Sequence, residues 1–296
     1  MKLERHSLKY LFKYRDVKTA ELILKHRTIR CFHPSMFNDR LDGKANLKIP
    51  PADDAFKAAL TQEYIKLVFS PNRPALVRGS AGEIFVRTFD LMKSAMSQPE
   101  IEEVIQGTIA ELEVDNEQLE HEKGEAIRQA AVAPQILCLS EEWGSMAMWN
   151  HYGEGLRGCV IVFDCQADPA SMFTLATPVQ YADAIPYFCD QPEWIKVMTG
   201  QLAAPTSVLE RQYFVKSQQW AYEKEWRLMA GRGGPGSYTD LPLTVDEFGG
   251  LVIGPETTMA DEVKLTDLAR TWRADCTIWK AKINYSDYEL EINPVG

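Results

Sequence analysis

Apolar and polar positions repeat with two different periods along this chain, and the change between them marks its elements. Leu8–Arg15, LKYLFKYR, reads as a short strand. Asp16 supplies a helix cap, and Val17, Ala20 and Leu24 share one face of a helix running to about Arg27. Ile29–His33 reads as a second strand, followed by HPSMFNDRLDG, whose Pro, Asn, Asp and Gly make it a loop anchored by Phe37. From about residue 51 to 132 the period becomes helical, with a break at SPNRPALVRGS. This predicts a helical insertion, 51–132, within a single domain spanning 1–296. Inside it, Glu117–Lys123 with His121 reads as a solvated helix face.

Strand patterning returns with QILCLS, Gln135–Ser140. The stretch Trp143–Tyr152 carries apolar mass around its whole circumference, which predicts a short helix buried on all sides, with Asn150 and His151 under cover. Ser140 is the expected cap, with Glu141 and Glu142 in the first turn. Gly153 and Gly155 end the helix, and Gly158–Asp164 enters an apolar strand. Helical patterning resumes over about Glu193–Gln218. Leu251–Gly254 is a strand, and Thr258 opens a helix with Asp261 as its capping partner and Leu265, Leu268, Ala269 and Trp272 as its buried stripe. Strands over Thr277–Ile283 and Tyr288–Ile292 close the chain. The order predicts an α+β fold with a mixed or antiparallel central sheet.

Composition narrows the function classes. A chain of 296 residues, 45% hydrophobic and 25% charged, can bury one large core. A net charge of -10 argues against a broad nucleic-acid or anionic-membrane surface, and no window has the length of a membrane span. The six cysteines form no CxxC pair and read as small packed hydrophobes of a reducing, cytoplasmic setting. The histidines show no HxH or HExxH spacing, so no metal site is expected. A GxSxG elbow and a P-loop are also missing, and GRGGPG, 231–236, is not placed as a dinucleotide motif requires.

Three islands carry candidate chemistry: Tyr14 and Arg15 with Asn38 and Asp39; Trp149, Asn150, His151 and Tyr152; and Trp220 through Glu223, Glu225 and Arg227. As a strand, the last places Glu223, Glu225 and Arg227 on one face. Each island has a structural reading: a packed tyrosine, an Asn-Asp turn, a hydrogen-bonded core histidine, a buried Glu–Arg pair. Convergence in one cleft would make them a site.

The succession KYR, FND near residue 38, CLSEEW, MWNHYGEGLRGCVIVFD and KSQQWAYEKEWRL resembles the bacterial domain-of-unknown-function family numbered 2971. The resemblance spans nearly the whole chain, with the helical insertion least constrained and Arg40 standing where the family usually has proline. That family supplies no reaction. A weaker similarity, to ADP-ribosyltransferases, implies a split sheet and NAD as substrate. By order in the chain it implies that Tyr14 and Arg15 hold the adenosine side, Tyr152 stacks on nicotinamide, and Glu223 or Glu225 is the late catalytic carboxylate. His151, a further catalytic candidate, or Arg227 would steer the pyrophosphate, and Asn38, Asp39, Trp149, Asn150 and Trp220 complete the ligand-binding set. Cleaving the nicotinamide bond builds positive charge on the ribose, which a fixed carboxylate stabilises. Such an enzyme suits a toxin or an antiviral-defence effector. Two other readings stand beside it. One is a non-enzymatic nucleotide-sensing module in defence, with a partner on the helical insertion; the other is a metal-dependent nuclease using Asp164, Glu225 and Arg227.

Overall fold

The computed structural model describes residues 7–43, 47–112, 133–287 and 289–295. They fall into two units. One comprises Ala45–Ala131 and Ala184–Tyr213; the other comprises Lys2–Lys44, Val132–Asp183 and Phe214–Gly296.

The first unit is helical. Its elements are α2 (Asp54–Phe69), α3 (Ala81–Met92), α4 (Gln98–Ala110), α6 (Gln191–Met198) and α7 (Val208–Tyr213). Phe56, Leu60, Leu67, Val86, Ile101, Ile105 and Trp194 form its core. Side-chain caps at Asp53, Ser80 and Asp190 satisfy first-turn amides, so the starts of α2, α3 and α6 are set locally. Glu117–Lys123, with His121, lies outside the described residues.

The second unit holds the mixed sheet. Its strands are β1 (Tyr10–Arg15), β2 (Thr28–Phe32), β3 (Pro134–Ser140), β4 (Cys159–Asp164), β5 (Thr177–Pro178), β8 (Glu225–Arg232), β9 (Tyr238–Pro242), β10 (Phe248–Ile253), β11 (Thr277–Asn284) and β12 (Glu289–Pro294). They run in the order β12-β11-β10-β4-β1-β3-β2-β9, with β8 on β3 and β5 on β8. A two-stranded parallel pair, β6 (Gln180–Ala182) and β7 (Val215–Ser217), lies apart. The contact between β10 and β11 is parallel and the other contacts of the large sheet are antiparallel, so the α+β expectation with a mixed sheet is what the fold has.

β4 explains why CVIVFD reads as continuous apolar sequence. Cys159, Ile161 and Phe163 face a core that includes Ile23 and Leu24 of α1 (Val17–His26) and Leu265, Ala269 and Trp272 of α8 (Met259–Trp272). Val160 and Val162 face a second core with Tyr14, Trp149, Val252 and Ala281. A strand covered on both faces has no polar position to offer. Both helix starts follow the sequence: Asp16 accepts from the Thr19 amide at 2.8 Å, and Thr258 accepts from that of Asp261 at 3.2 Å. Replacing Asp16 by alanine is expected to cost about 1 kcal/mol, the usual worth of such a cap, in a urea titration.

The MWNHY helix departs from expectation. It spans only Met146–Tyr152 (α5), and Ser145, not Ser140, caps it by accepting from the Met148 amide. Glu141 and Glu142 precede it. Met148 and Trp149 are buried, whereas Asn150 and His151 are exposed, because two turns bury one side against β1 and leave the other in solvent. β9 has no counterpart in the sequence reading: its positions alternate exposed and half-buried, as an edge strand on β2 allows.

The sheet opens at one place. β3 pairs with β8 over seven positions but meets β1 only at Phe12–Ser140 and β2 only at Phe32–Ile136. Between these two contacts the strands diverge, and the space is a cavity.

Candidate functional site

The cavity has a volume of about 240 Å³ and is walled by β1 (Phe12 to Arg15), β2 (Arg30, Phe32), β3 (Ile136, Cys138 to Ser140) and the loop after β2 (Met36 to Asn38, Asp42). Tyr152 of α5, Lys216 of β7, Glu223 and Glu225 complete it. Two neighbouring regions of opposite character result.

The first is a buried polar network. Arg227, 0% exposed, makes a two-pronged contact with Asp42, at 2.9 and 2.6 Å, and another with Glu225, at 2.7 and 2.9 Å. Lys216 lies 3.1 Å from Glu225 and contacts Glu223. Glu223 accepts from the Tyr152 hydroxyl at 2.8 Å, and that hydroxyl accepts from the Asn38 amide at 2.9 Å. Three carboxylates thus share two cations. Buried charges need such partners, since each isolated one carries a desolvation cost of several kcal/mol.

The two glutamates differ electrostatically although both are nearly covered. Burial alone would raise Glu225, but Arg227, then Lys216, outweigh it and hold the carboxyl well below its ordinary range. For Glu223 burial wins: Lys216 offsets it only in part, the negative charge of Glu225 adds to it, and the pKa is raised. Lys216 would be lowered by burial, but Glu225, Glu223 and Asp42 keep it protonated. Paired carboxylates whose environments push them apart are what acid–base chemistry requires. The local chain explains the placement. Gln218–Glu223 is a 3₁₀ turn, Lys224 adopts a left-handed φ of 42°, and β8 begins at Glu225. Glu223 therefore reaches Lys216 from a turn, not from a strand face. Ser140 holds that turn by donating to the Glu223 carbonyl at 2.7 Å, and Tyr181 accepts from the Glu225 amide at 2.8 Å.

The second region is cationic. Lys13 and Arg15 lie two residues apart on β1, and neither has a carboxylate within ion-pair distance among the described residues. Lys13 donates to the Cys138 carbonyl, which the open sheet leaves without a ladder partner on β1. Arg15 donates to its neighbour's carbonyl at 3.4 Å, while its Nε is shielded and unpartnered. Gly158 fixes this end of β1, since a Cβ there would stand 2.2 Å from the Arg15 carbonyl oxygen. Burial, reinforced by the adjacent Arg15 charge, lowers Lys13 to about 7. Lys13→Met should therefore raise stability most below about pH 7, where the folded wild type must hold a charged amine under cover. The gain should shrink as pH rises towards the ordinary lysine value of about 10.4, because the unfolded chain then sheds the same proton. Urea titrations at pH 6 and 9 read this directly.

Of the residues singled out from sequence, Tyr14, Arg15, Asn38, Tyr152, Glu223 and Glu225 border the cavity. Tyr14 is 2% exposed, donates to the Glu142 carbonyl and meets Trp149 edge-on at 5.4 Å, so most of it is core. Trp149 is fully buried and donates to the Trp143 carbonyl, which leaves no surface for a ligand. Arg227 has its guanidinium committed to Asp42 and Glu225, so a pyrophosphate-steering role does not fit it. Asn150 donates back to Met146 in its own helix. His151 sits in a surface group with Tyr222, 2.9 Å away, and Trp220, outside the cavity lining. Asp39 accepts from the Leu41 amide and shapes the loop, while Asp42 delivers the carboxylate. Lys13, Lys216 and Asp42 escaped the sequence reading. Lys216 heads the KSQQW motif, and Lys13 shares the strand spacing of Arg15, which were the available signals. Asp164 accepts from the Gln166 amide and does not border the cavity, so it stands apart from Glu225 and Arg227. All six cysteines are free, and among the described residues no group of three or more His, Cys, Asp or Glu is placed to hold a metal ion. No helix among them is long and apolar enough to cross a membrane.

Residues 148–228 match the family model described as a protein of unknown function, DUF2971. The resemblance carried by MWNHYGEG and KSQQWAYEKEWRL is thereby supported. The DUF2971 match includes Tyr152, Lys216, Glu223, Glu225 and Arg227, and ends before it reaches β1 or Asp42. Neither a curated protein nor a solved structure matches the chain.

Proposed function

We propose that the chain is an ADP-ribosyltransferase-like enzyme that cleaves the nicotinamide glycosidic bond of NAD, with Glu223 as its catalytic carboxylate. The observation that supports this reading is the meeting of Arg15, Tyr152 and Glu223 at one cavity, from β1, α5 and the turn before β8. In the reaction the C1′–N bond breaks, its electron pair leaves with neutral nicotinamide, and a nucleophile, water or an acceptor, bonds to C1′ while losing a proton. Glu223 accepts that proton, for which a raised pKa is the better match, and in its ionised form faces the developing ribosyl cation. Arg15 supplies positive charge to the phosphates on the adenosine side. Tyr152 orients Glu223 through its hydroxyl, which revises the stacking role that the resemblance implied. Enclosed ligand sites commonly span about 300–1,000 Å³, so a 240 Å³ cavity accommodates one end of a dinucleotide and leaves the rest at its mouth.

Incubating pure protein with NAD and following nicotinamide by chromatography tests the proposal. Release that disappears in Glu223→Gln is the expected result; no turnover with NAD alone or with an added protein acceptor removes it. The limited volume also favours a second reading, a non-enzymatic module that binds a smaller phosphorylated nucleotide. It predicts saturable nucleotide binding without nicotinamide release. Localisation in the cytoplasm and a role in defence belong to the same proposal.

A further inference from the structure

Lys13 and Arg15 are an uncommon pair for the middle of a sheet. β1 lies between β3 and β4, and its neighbours offer these two side chains no carboxylate. The nearest acids are already engaged: Asp16 caps α1 through Thr19, and Glu225 is held by Arg227 and Lys216. Arg30, also on the wall, is paired with Asp240 at 2.7 Å. Two half-buried basic side chains on one cavity wall, with no carboxylate paired to either among the described residues, suit an anion.

We infer that Lys13 and Arg15 form a subsite for a phosphate or pyrophosphate group. The subsite deepens the proposed reading by naming where a dinucleotide's phosphates would sit, yet it does not depend on bond cleavage. Arginine remains charged under any ordinary condition and supplies the permanent attraction. The amine of Lys13 gives one N–H to the Cys138 carbonyl, and its side chain lines the cavity. The titratable and charged groups that face it are Arg15 on its own strand, Cys31 on β2, Cys138 on β3 and Glu225 on β8. Both thiols are themselves pushed up by burial, to about 12 for Cys31, and stay neutral. With Glu225 neutralised by its own partners, Arg15 and burial decide the empty state, in which Lys13 gives up its proton near pH 7. A dianion beside it reverses that balance, since an opposite charge within about 4–6 Å favours the protonated amine. Binding is then linked to proton uptake and weakens as pH rises above about 7.

Isothermal titration of the full chain with inorganic phosphate, inorganic pyrophosphate and ADP, in two buffers of different ionisation enthalpy, tests the subsite. Saturable binding of pyrophosphate or ADP is expected, with heats that differ between buffers as net proton uptake requires. Affinity should fall by tenfold or more between pH 7 and 9, and likewise in Lys13→Met and Arg15→Met. ADP binding far tighter than pyrophosphate identifies a nucleotide as the source of the phosphates; equal affinity identifies the free anion. Lys13→Met removes a half-buried amine and should fold, as circular dichroism and a thermal melt will show, so it carries the test if Arg15→Met does not fold. Glu223→Gln should keep this binding even while it abolishes nicotinamide release, which separates failure of the catalytic reading from failure of the subsite. The inference is overturned by the absence of saturable binding for all three probes or by affinities unchanged in both variants.

Discussion

Replacing Arg227 by methionine is expected to lower the unfolding free energy by about 3–5 kcal/mol, the loss typical when one partner of a buried ion pair is removed. Arg227 is 0% exposed and is the shared partner of Asp42 and Glu225, so its loss strands two covered carboxylates beside a single lysine. Against a total stability of about 5–15 kcal/mol for an ordinary domain, that change would leave the sheet unit marginal. Urea titration with matched slopes measures it. Combining Arg227→Met with Asp42→Asn and Glu225→Gln should recover much of the loss, because neutral groups of similar shape need no counter-charge. A single variant within 1 kcal/mol of wild type would refute the account. The pH dependence has a defined sign. Glu225 has its pKa depressed in the folded chain, so its contribution is present above the ordinary glutamate value of about 4.3 and is lost as pH falls through the lower folded value. The wild type should lose stability steeply in acid, and Glu225→Gln should flatten that slope.

Glu223→Gln is expected to reduce nicotinamide release by about 10²–10³-fold, the range seen when one preorganised electrostatic group is removed from a transition state. Glutamine keeps the size of the side chain and can still accept from Tyr152, so stability should change little and KM less than kcat. Glu225→Gln should behave oppositely, because its carboxylate is bound to Arg227 and its removal acts on folding first. The two substitutions therefore separate the catalytic glutamate from the structural one, which order along the chain left open. Full release in Glu223→Gln together with loss in Glu225→Gln would reverse the roles.

What could be read from the sequence was what short-range chemistry decides. Asp16 and Thr258 cap the helices they precede because the reach of a cap is three residues. CVIVFD declares a strand covered on both faces because the alternation is missing. The MWNHY helix differs from its pattern because seven residues make two turns, too few for periodicity to tell a helix buried all round from one lying on a sheet. Asp39 and Asp42 are indistinguishable inside a turn-rich loop; only the distant position of Arg227 selects one of them. Lys13 was overlooked for a related reason. A lysine in a strand ordinarily marks a solvated face, and here the divergence of β1 and β3, two segments more than a hundred residues apart in the chain, puts it on a cavity wall. Long-range strand pairing, with no local signature, made the cavity.

The hydroxyl of Tyr152 has a single hydrogen, and that fixes the wiring of the site. Asn38 donates to Tyr152, Tyr152 donates to Glu223, and Lys216 donates to the other oxygen of the same carboxylate. Hydrogens point inward along the Asn38–Tyr152 branch, so that branch is a terminus for protons and not a relay to solvent: an amide at its outer end cannot pass one on. A proton that Glu223 exchanges with a bound molecule therefore passes through the cavity that its side chain lines. Exchange at this carboxylate is thereby tied to the coming and going of ligand.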